Sequence, residues 1–181
     1  SHGLEQGRLN GINFKTAIFT NLSQDHLDYH KNMKNYLNAK LILFSKLLKK
    51  KQNIITDSEI PEFLNLKKIA KKNNLNLLTI GKKNSTIQFK SVKFNDNFQN
   101  IDFSHNRKTY AIKIPLIGFF QIKNLFMSIL ASKLSGVDIK KSIYVTKNIK
   151  EVNGRLQLIK TTPNQTKIFI DYAHTPNALE T

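Results

Sequence analysis

Cysteine is absent from all 181 residues, which excludes a disulfide framework and any thiolate metal site. Arginine is scarce: Arg8, Arg107 and Arg155 are the only three, so the net charge of +17 is almost wholly lysine. Nucleic-acid readers lean on arginine for bidentate and stacking contacts, and no aromatics interleave with arginine here. Lysine, asparagine, isoleucine and phenylalanine share A/T-rich codons. A genome-wide bias therefore accounts for the composition without any ligand, and no nucleic-acid partner is expected. An anionic membrane is the other partner that such a charge suggests. No apolar run is long enough to span a bilayer, and "SHGLEQGRLNG" has neither the charged start nor the apolar centre of a signal peptide. The expectations are no membrane insertion and a cytoplasmic protein.

Hydrophobic residues make up 40% of the chain, enough for a real core. "FKTAIFTNL" (14–22) is β-rich. From Asn32, a candidate N-cap, Met33, Tyr36, Leu37, Lys40, Leu41 and Phe44 recur at helical spacing, which predicts a helix over 33–48. "NIITD" and "NLLTIG" read as strands around "PEFLNLKKIAKKNN", an amphipathic helix with Pro61 in its first turn. Strand, helix, strand is the signature of a parallel α/β sheet, with 14–20, 53–56 and 77–80 in one sheet. Between Ser85 and Leu116 the pattern becomes short antiparallel strands separated by Asn/Asp/His/Arg turns. Helices follow at "QIKNLFMSILASKL", closed by Gly136, and at "DIKKSIYVTKNI", capped by Asp138. The chain ends in a hairpin-like strand pair and a helix starting at Pro176.

Five places invite chemistry. "DHLDYH" sets His and Asp just after a strand, where an α/β sheet gathers its ligands, yet its spacing fits no all-protein zinc signature. On spacing alone a capped turn with solvated His and Asp is the better explanation. Lys40 sits on the apolar side of its helix. It is either a lysine whose stem packs while its amine reaches water, or one that burial helps to deprotonate. A neutral amine can react with carbon dioxide to give a carbamate, an oxygen ligand suited to Mg²⁺. Gln121 and Asn124 head an apolar helix, where amides satisfy the helix end or read a base edge. Arg155 after Gly154 is a surface residue or a phosphate clamp. "IFIDYAHTP" delivers Asp171 and His174 into a loop, and carboxylates at strand ends often hold ribose hydroxyls.

Taken in order, "SHGLEQGRLNGINFKTAIFTNLSQDHLDYH", "YLNAKLILFS", "PLIGFFQIKN", "VNGRLQLI" and "IFIDYAHTPNALE" resemble the Mur ligase family, closest to its MurE type. The resemblance runs from Ser1 to Glu180, although 49–108 match only in general character. It implies a central-domain-like, mostly parallel sheet flanked by helices, with a small antiparallel β subdomain and the first strands of a Rossmann-like C-terminal domain. Residues 1–152 would be a partial central ATP-binding domain and 153–181 the beginning of the C-terminal domain. The implied activity is ATP-dependent amide formation through an acyl phosphate. It would add the third amino acid, meso-diaminopimelate or L-lysine, to UDP-N-acetylmuramoyl-L-alanyl-D-glutamate in peptidoglycan synthesis. ATP and Mg²⁺ are the implied cofactors, and a monomer is expected.

Residue by residue, the resemblance gives His26 as a Mg²⁺ ligand and Lys40 as the carbamylated lysine beside it. Gln6 and Arg8 fall where the UDP-muramoyl-peptide is held. Asn124 falls at the adenine, with Gln121 replacing a family asparagine. Arg155 matches an arginine on the ATP phosphates, Asp171 the aspartate on the ribose, and His174 lies on the same nucleotide side. The family's Gly-rich phosphate loop ending in Gly-Lys-Thr/Ser is not in this sequence. Neither are its preceding acidic metal ligand, its uridine-binding domain and most of its C-terminal domain. The resemblance thus implies a catalytically incomplete piece of a larger enzyme. Alternatives are another Mur ligase, a folylpolyglutamate-synthase-like ligase, an inactive gene fragment or a basic nucleic-acid-binding module.

Overall fold

Three hydrophobic strands start the architecture. In the computed structural model, which describes residues 1–95 and 98–180, β1 (Thr16–Phe19), β2 (Asn53–Asp57) and β3 (Asn76–Gly81) are parallel and in register. Thr16 lies opposite Asn53, and Asn53 opposite Asn76. Parallel neighbours need a crossover rather than a tight turn. Helix α3 (Met33–Ile42), continued by a π turn over Leu43–Leu47, fills the first crossover. Helix α4 (Phe63–Asn73) fills the second. The short helices α1 (His2–Glu5) and α2 (Leu27–His30) complete a compact unit, Ser1–Thr86.

The apolar period decides what packs here. Ala17, Phe19 and Ile54 from the sheet meet Phe44 and Leu48 from the first crossover and Leu66 and Ala70 from α4, all buried. Asn32 caps α3 as predicted, its side chain accepting the Asn35 amide at 2.9 Å. The second helix begins later than expected. Pro61 precedes the Glu62 cap, because the chain first turns through a bond from the Phe63 amide to the Ile60 carbonyl. β1 is likewise trimmed by two residues at its start and one at its end, where pairing with β2 stops.

The second compact unit, Ile87–Thr181, opens with an antiparallel meander of β4 (Ile87–Phe94), β5 (Gln99–His105) and β6 (Lys108–Ile114). Part of the predicted turn between the first two, Asp96 and Asn97, lies outside the described residues. Strict alternation along β5 buries Gln99, Ile101, Phe103 and His105. Helix α5 (Phe119–Leu134) packs there, with the Phe126 ring edge-on to Phe103 and Phe89 at 4.6 and 5.1 Å. Helix α6 (Ile139–Val145) starts at Asp138, whose carboxylate accepts the Lys140 amide at 2.7 Å. Two strands, β7 (Gln157–Thr161) and β8 (Lys167–Ile170), form a separate antiparallel pair before α7 (Pro176–Leu179), which has Pro176 at its first position. The α/β class expected from the sequence is the one observed.

Burial separates positions along α4. Leu66→Ala empties a fully buried site, and urea unfolding of this variant should show a loss of about 2–5 kcal/mol. Leu64→Ala, 63% exposed two residues away, should change stability by less than about 0.5 kcal/mol.

Candidate functional site

The first unit brings its polar motif residues together at the carboxyl edge of the parallel sheet. After β1 the chain reverses through two non-glycine residues in the left-handed region, His26 (φ 54°) and Lys31 (φ 66°), which bracket α2. Such a conformation costs about 1–2 kcal/mol at a residue with a side chain, and it aims the loop back at α3. The Asp25 carboxylate steadies it, accepting the His26 amide at 2.8 Å and lying 3.4 Å from His26 Nε2. His26 stands edge-on to the Tyr36 ring at 6.1 Å, and Lys40 Nζ lies 4.9 Å from the centre of that same ring. One tyrosine thus joins the two residues expected at the metal.

Lys40 is half-buried. Burial pushes its amine below the ordinary lysine value, while the Asp25 and Glu62 carboxylates pull it back up. Burial, then the Asp25 charge, raises the Tyr36 phenol.

Around this pair the rings form a continuous cluster. His30, 2% exposed, stacks on Tyr36 at 5.0 Å and on His2 at 5.2 Å. Its Nε2 lies 2.8 Å from the Ser1 hydroxyl. Its Nδ1 lies 3.1 Å from a Glu5 oxygen, close enough for ion pairing but not aligned for a hydrogen bond. His2 also sits edge-on to Tyr29 at 4.1 Å, and Tyr29 accepts a hydrogen bond from Gln6 Nε2 at 3.1 Å. Gln6 is therefore brought to the cluster. Arg8 is exposed beside it, folded back by a bond from its amide to the Gly3 carbonyl at 2.8 Å. Asp25, Tyr29, His30 and Tyr36 were not singled out individually from sequence. The alternation of rings and imidazoles in "DHLDYH", continued six residues on by Tyr36, is the signal.

The second unit holds the residues expected at the nucleotide, and brings Arg155, Asp171 and His174 together but not Asn124. Gly118 caps α5 at φ 91°, and a Cβ there would lie 2.7 Å from the Phe120 ring. Gln121 is buried and its amide donates to the Ile117 carbonyl at 2.8 Å and the Arg155 carbonyl at 3.1 Å. The structure thus resolves the open reading of Gln121: its donors tie backbone to backbone. Asn124, one turn further along α5, is exposed.

Arg155 follows Gly154, itself at φ 66°, and its guanidinium lies 4.8 Å from the Tyr172 ring centre. Asp171 spans the gap between the two segments. One oxygen accepts the Leu156 amide at 2.6 Å and the other the Ala173 amide at 2.7 Å. His174 meets the Tyr172 ring edge-on at 5.1 Å, with Nδ1 3.0 Å from the Tyr172 carbonyl. Arg155, Asp171 and His174 are one cluster built around Tyr172, which sequence reasoning passed over.

The donor sets differ in kind. The first unit offers an imidazole, carboxylates and an amine whose ammonium form burial disfavours. The second offers amide, guanidinium and carboxylate groups on a largely exposed surface, suited to a polar, anionic ligand. No set of three or more His, Asp or Glu side chains suited to a metal occurs among the described residues.

Comparison with known proteins gives this arrangement relatives. Residues 1–132 match the family model of the Mur ligase middle domain. Over 180 residues, 99% of this chain, the sequence is 40% identical to the UDP-N-acetylmuramoyl-L-alanyl-D-glutamate--2,6-diaminopimelate ligase of Rickettsia typhi, covering 36% of that protein. A solved structure of a ligase with the same description superimposes with a TM-score of 0.80 at 29% identity, over 98% of this chain and 36% of that one. MurF of Thermotoga maritima in complex with ADP shares the fold, with a TM-score of 0.75 at 19% identity over 92% of this chain and 38% of that one. The chain spans little more than a third of the length of the curated relatives it matches. With its first 132 residues matching the middle domain and its fold shared with solved ligases, this chain belongs to the Mur ligase family.

Proposed function

We propose that this chain is the part of an ATP-dependent ligase that adds the third amino acid to UDP-N-acetylmuramoyl-L-alanyl-D-glutamate in peptidoglycan synthesis, through an acyl phosphate. The added amino acid is 2,6-diaminopimelate, the compound in the names of the similar ligases, rather than L-lysine. Residues 1–152 are part of the central ATP-binding domain. Residues 153–181 begin the C-terminal domain, a division supported by the turn at Asn153–Gly154 and the separate pairing of β7 with β8. The observation that carries the reading is Lys40. It is half-buried, its amine is lowered by burial, and it shares the Tyr36 ring with His26.

Mg²⁺ commonly takes only one or two protein ligands and completes its shell with water and phosphate oxygens. A two-residue set therefore fits it, His26 giving a nitrogen and carbamylated Lys40 an oxygen, even though no three-residue cage is present. When bound, the ion would neutralise phosphate charge as the acyl phosphate forms. Lys40 supplies the carbamate because burial disfavours its ammonium form. The Asp25 carboxylate orients His26, and the ring cluster holds α1, with Gln6 and Arg8 close behind it, against α3 to receive the muramoyl-peptide. Asn124 presents donor and acceptor to the adenine edge, and Arg155 meets the phosphates. Asp171 retains lone pairs for ribose hydroxyls beyond its two amide bonds, with His174 beside it. The protein works as a monomer in the cytoplasm. Positioning and charge neutralisation are the chain's contribution.

In the full-length enzyme containing this chain, Lys40→Ala should reduce amide formation by more than the about 10–100-fold typical of losing a supporting residue at a metal. Short carboxylic acids should restore part of it, and near-normal activity without rescue would remove Lys40 from the mechanism. Carbamate forms only from the free amine, so its occupancy rises with pH through the lowered value of Lys40. With ¹³C-bicarbonate, nucleotide and Mg²⁺ present, a carbamate signal should grow as the pH is raised and be absent in Lys40→Ala. The 181-residue chain alone, which holds no Gly-Lys-Thr/Ser phosphate loop, should release no phosphate from ATP.

A further inference from the structure

The carboxylates of the first unit, unlike its lysines, are sorted by the direction of its strands; Lys31 and Lys34 follow β1, and Lys82 and Lys83 follow β3. All six carboxylates belong to the carboxyl edge of the parallel sheet. Asp25 and Asp28 follow β1, and Asp57, Glu59 and Glu62 end or follow β2. Glu5 reaches that edge through His30 at the end of α2. The amino edge has none. There Lys15 precedes β1, Lys49, Lys50 and Lys51 precede β2, and Lys71 and Lys72 close α4 just before β3.

Backbone and amide bonds hold these segments side by side. The Asn53 amide donates to the Lys15 carbonyl at 3.1 Å, and the Lys51 amide to the Asn74 carbonyl at 2.8 Å. Asn76 Nδ2 donates to the Lys51 carbonyl at 2.9 Å, and Gln52 Nε2 to Asn13 Oδ1 at 3.1 Å. Neutral amides do the structural bonding, and all six lysines are exposed. None of them pairs with a carboxylate among the described residues.

Codon bias adds lysine everywhere; it does not clear carboxylates from one edge of a sheet. We infer that this amino edge is an interaction surface that docks reversibly on an anionic lipid bilayer. Six unpaired ammonium groups on adjoining turns match a diffuse layer of phosphate headgroups, to which each lysine adds attraction. The chemistry favours lipid over nucleic acid. The patch has no arginine, and Phe14 beside Lys15 packs against the core, so the edge lacks the forks and stacking faces that read bases. It also lies at the opposite edge of the sheet from the His26 loop, so docking leaves that loop uncovered.

Sedimentation with vesicles tests this on the 181-residue chain. The vesicles hold about 30% phosphatidylglycerol in phosphatidylcholine or phosphatidylcholine alone, at about 50 mM and about 300 mM salt. Four substitutions, Lys49→Gln, Lys50→Gln, Lys71→Gln and Lys72→Gln, spare Lys51, whose backbone is left-handed (φ 66°). A control of equal charge carries Lys108→Gln, Lys140→Gln, Lys141→Gln and Lys160→Gln, all exposed in the second unit. The expected result is binding to the anionic vesicles alone, weakened by high salt. The patch variant should lose it by at least about tenfold while the control keeps it. No binding by the unsubstituted chain, equal losses in both variants, or tighter binding to duplex or single-stranded DNA at equal phosphate concentration would overturn the assignment.

Discussion

Parallel pairing of β1, β2 and β3 in register is the constraint on which the first unit depends. Parallel neighbours cannot be joined by a hairpin, so each connection must cross back over the sheet as a helix. Every strand then ends at the same edge, and every helix returns to the other. His26 stands at the carboxyl edge because it follows β1, and the Lys49–Lys51 turn lies at the amino edge because it precedes β2. Helix α3 leaves the first edge carrying Tyr36 in its first turn and Lys40 one turn further on, which is what lets one tyrosine ring touch both His26 and Lys40.

Lys40 shows how a crossover tunes chemistry. Helical spacing puts it in line with Tyr36 and Phe44, both buried, so its stem is drawn into apolar surroundings. The same placement disfavours the ammonium form, and the two nearby carboxylates oppose the shift without abolishing it. A lysine on the far face of α3 would keep water and an ordinary proton affinity.

The second unit solves a different problem, holding an irregular segment without a sheet beneath it. Gln121 spends both donors on carbonyls, at Ile117 and Arg155, and Asp171 spends an acceptor on each of two backbone amides. These polar side chains stand in for strand pairing, fixing the 154–156 turn against α5 on one side and the end of β8 on the other. Arg155 is thereby set over Tyr172 while its charged tip stays exposed.

Local pattern determined a great deal. The 2- and 3.6-residue periods marked the strands and helices, Asn32 and Asp138 announced their caps, and the motif order carried the family. Those features depend on neighbours within a turn or two, which a sequence displays directly. Its limits appear where partners are distant along the chain. That Gln121 binds the Arg155 carbonyl, that His30 joins Ser1 and Glu5 to Tyr36, and that Tyr172 receives Arg155 depend on side chains 17 to 34 residues apart or more loosely placed by turns. The absence of carboxylates from the amino edge is equally invisible in the linear order, where blocks of the two signs alternate. Only the folding of parallel strands into one sheet gathers all the strand starts at one edge and all the strand ends at the other, and so leaves the amino edge with lysines and no carboxylate.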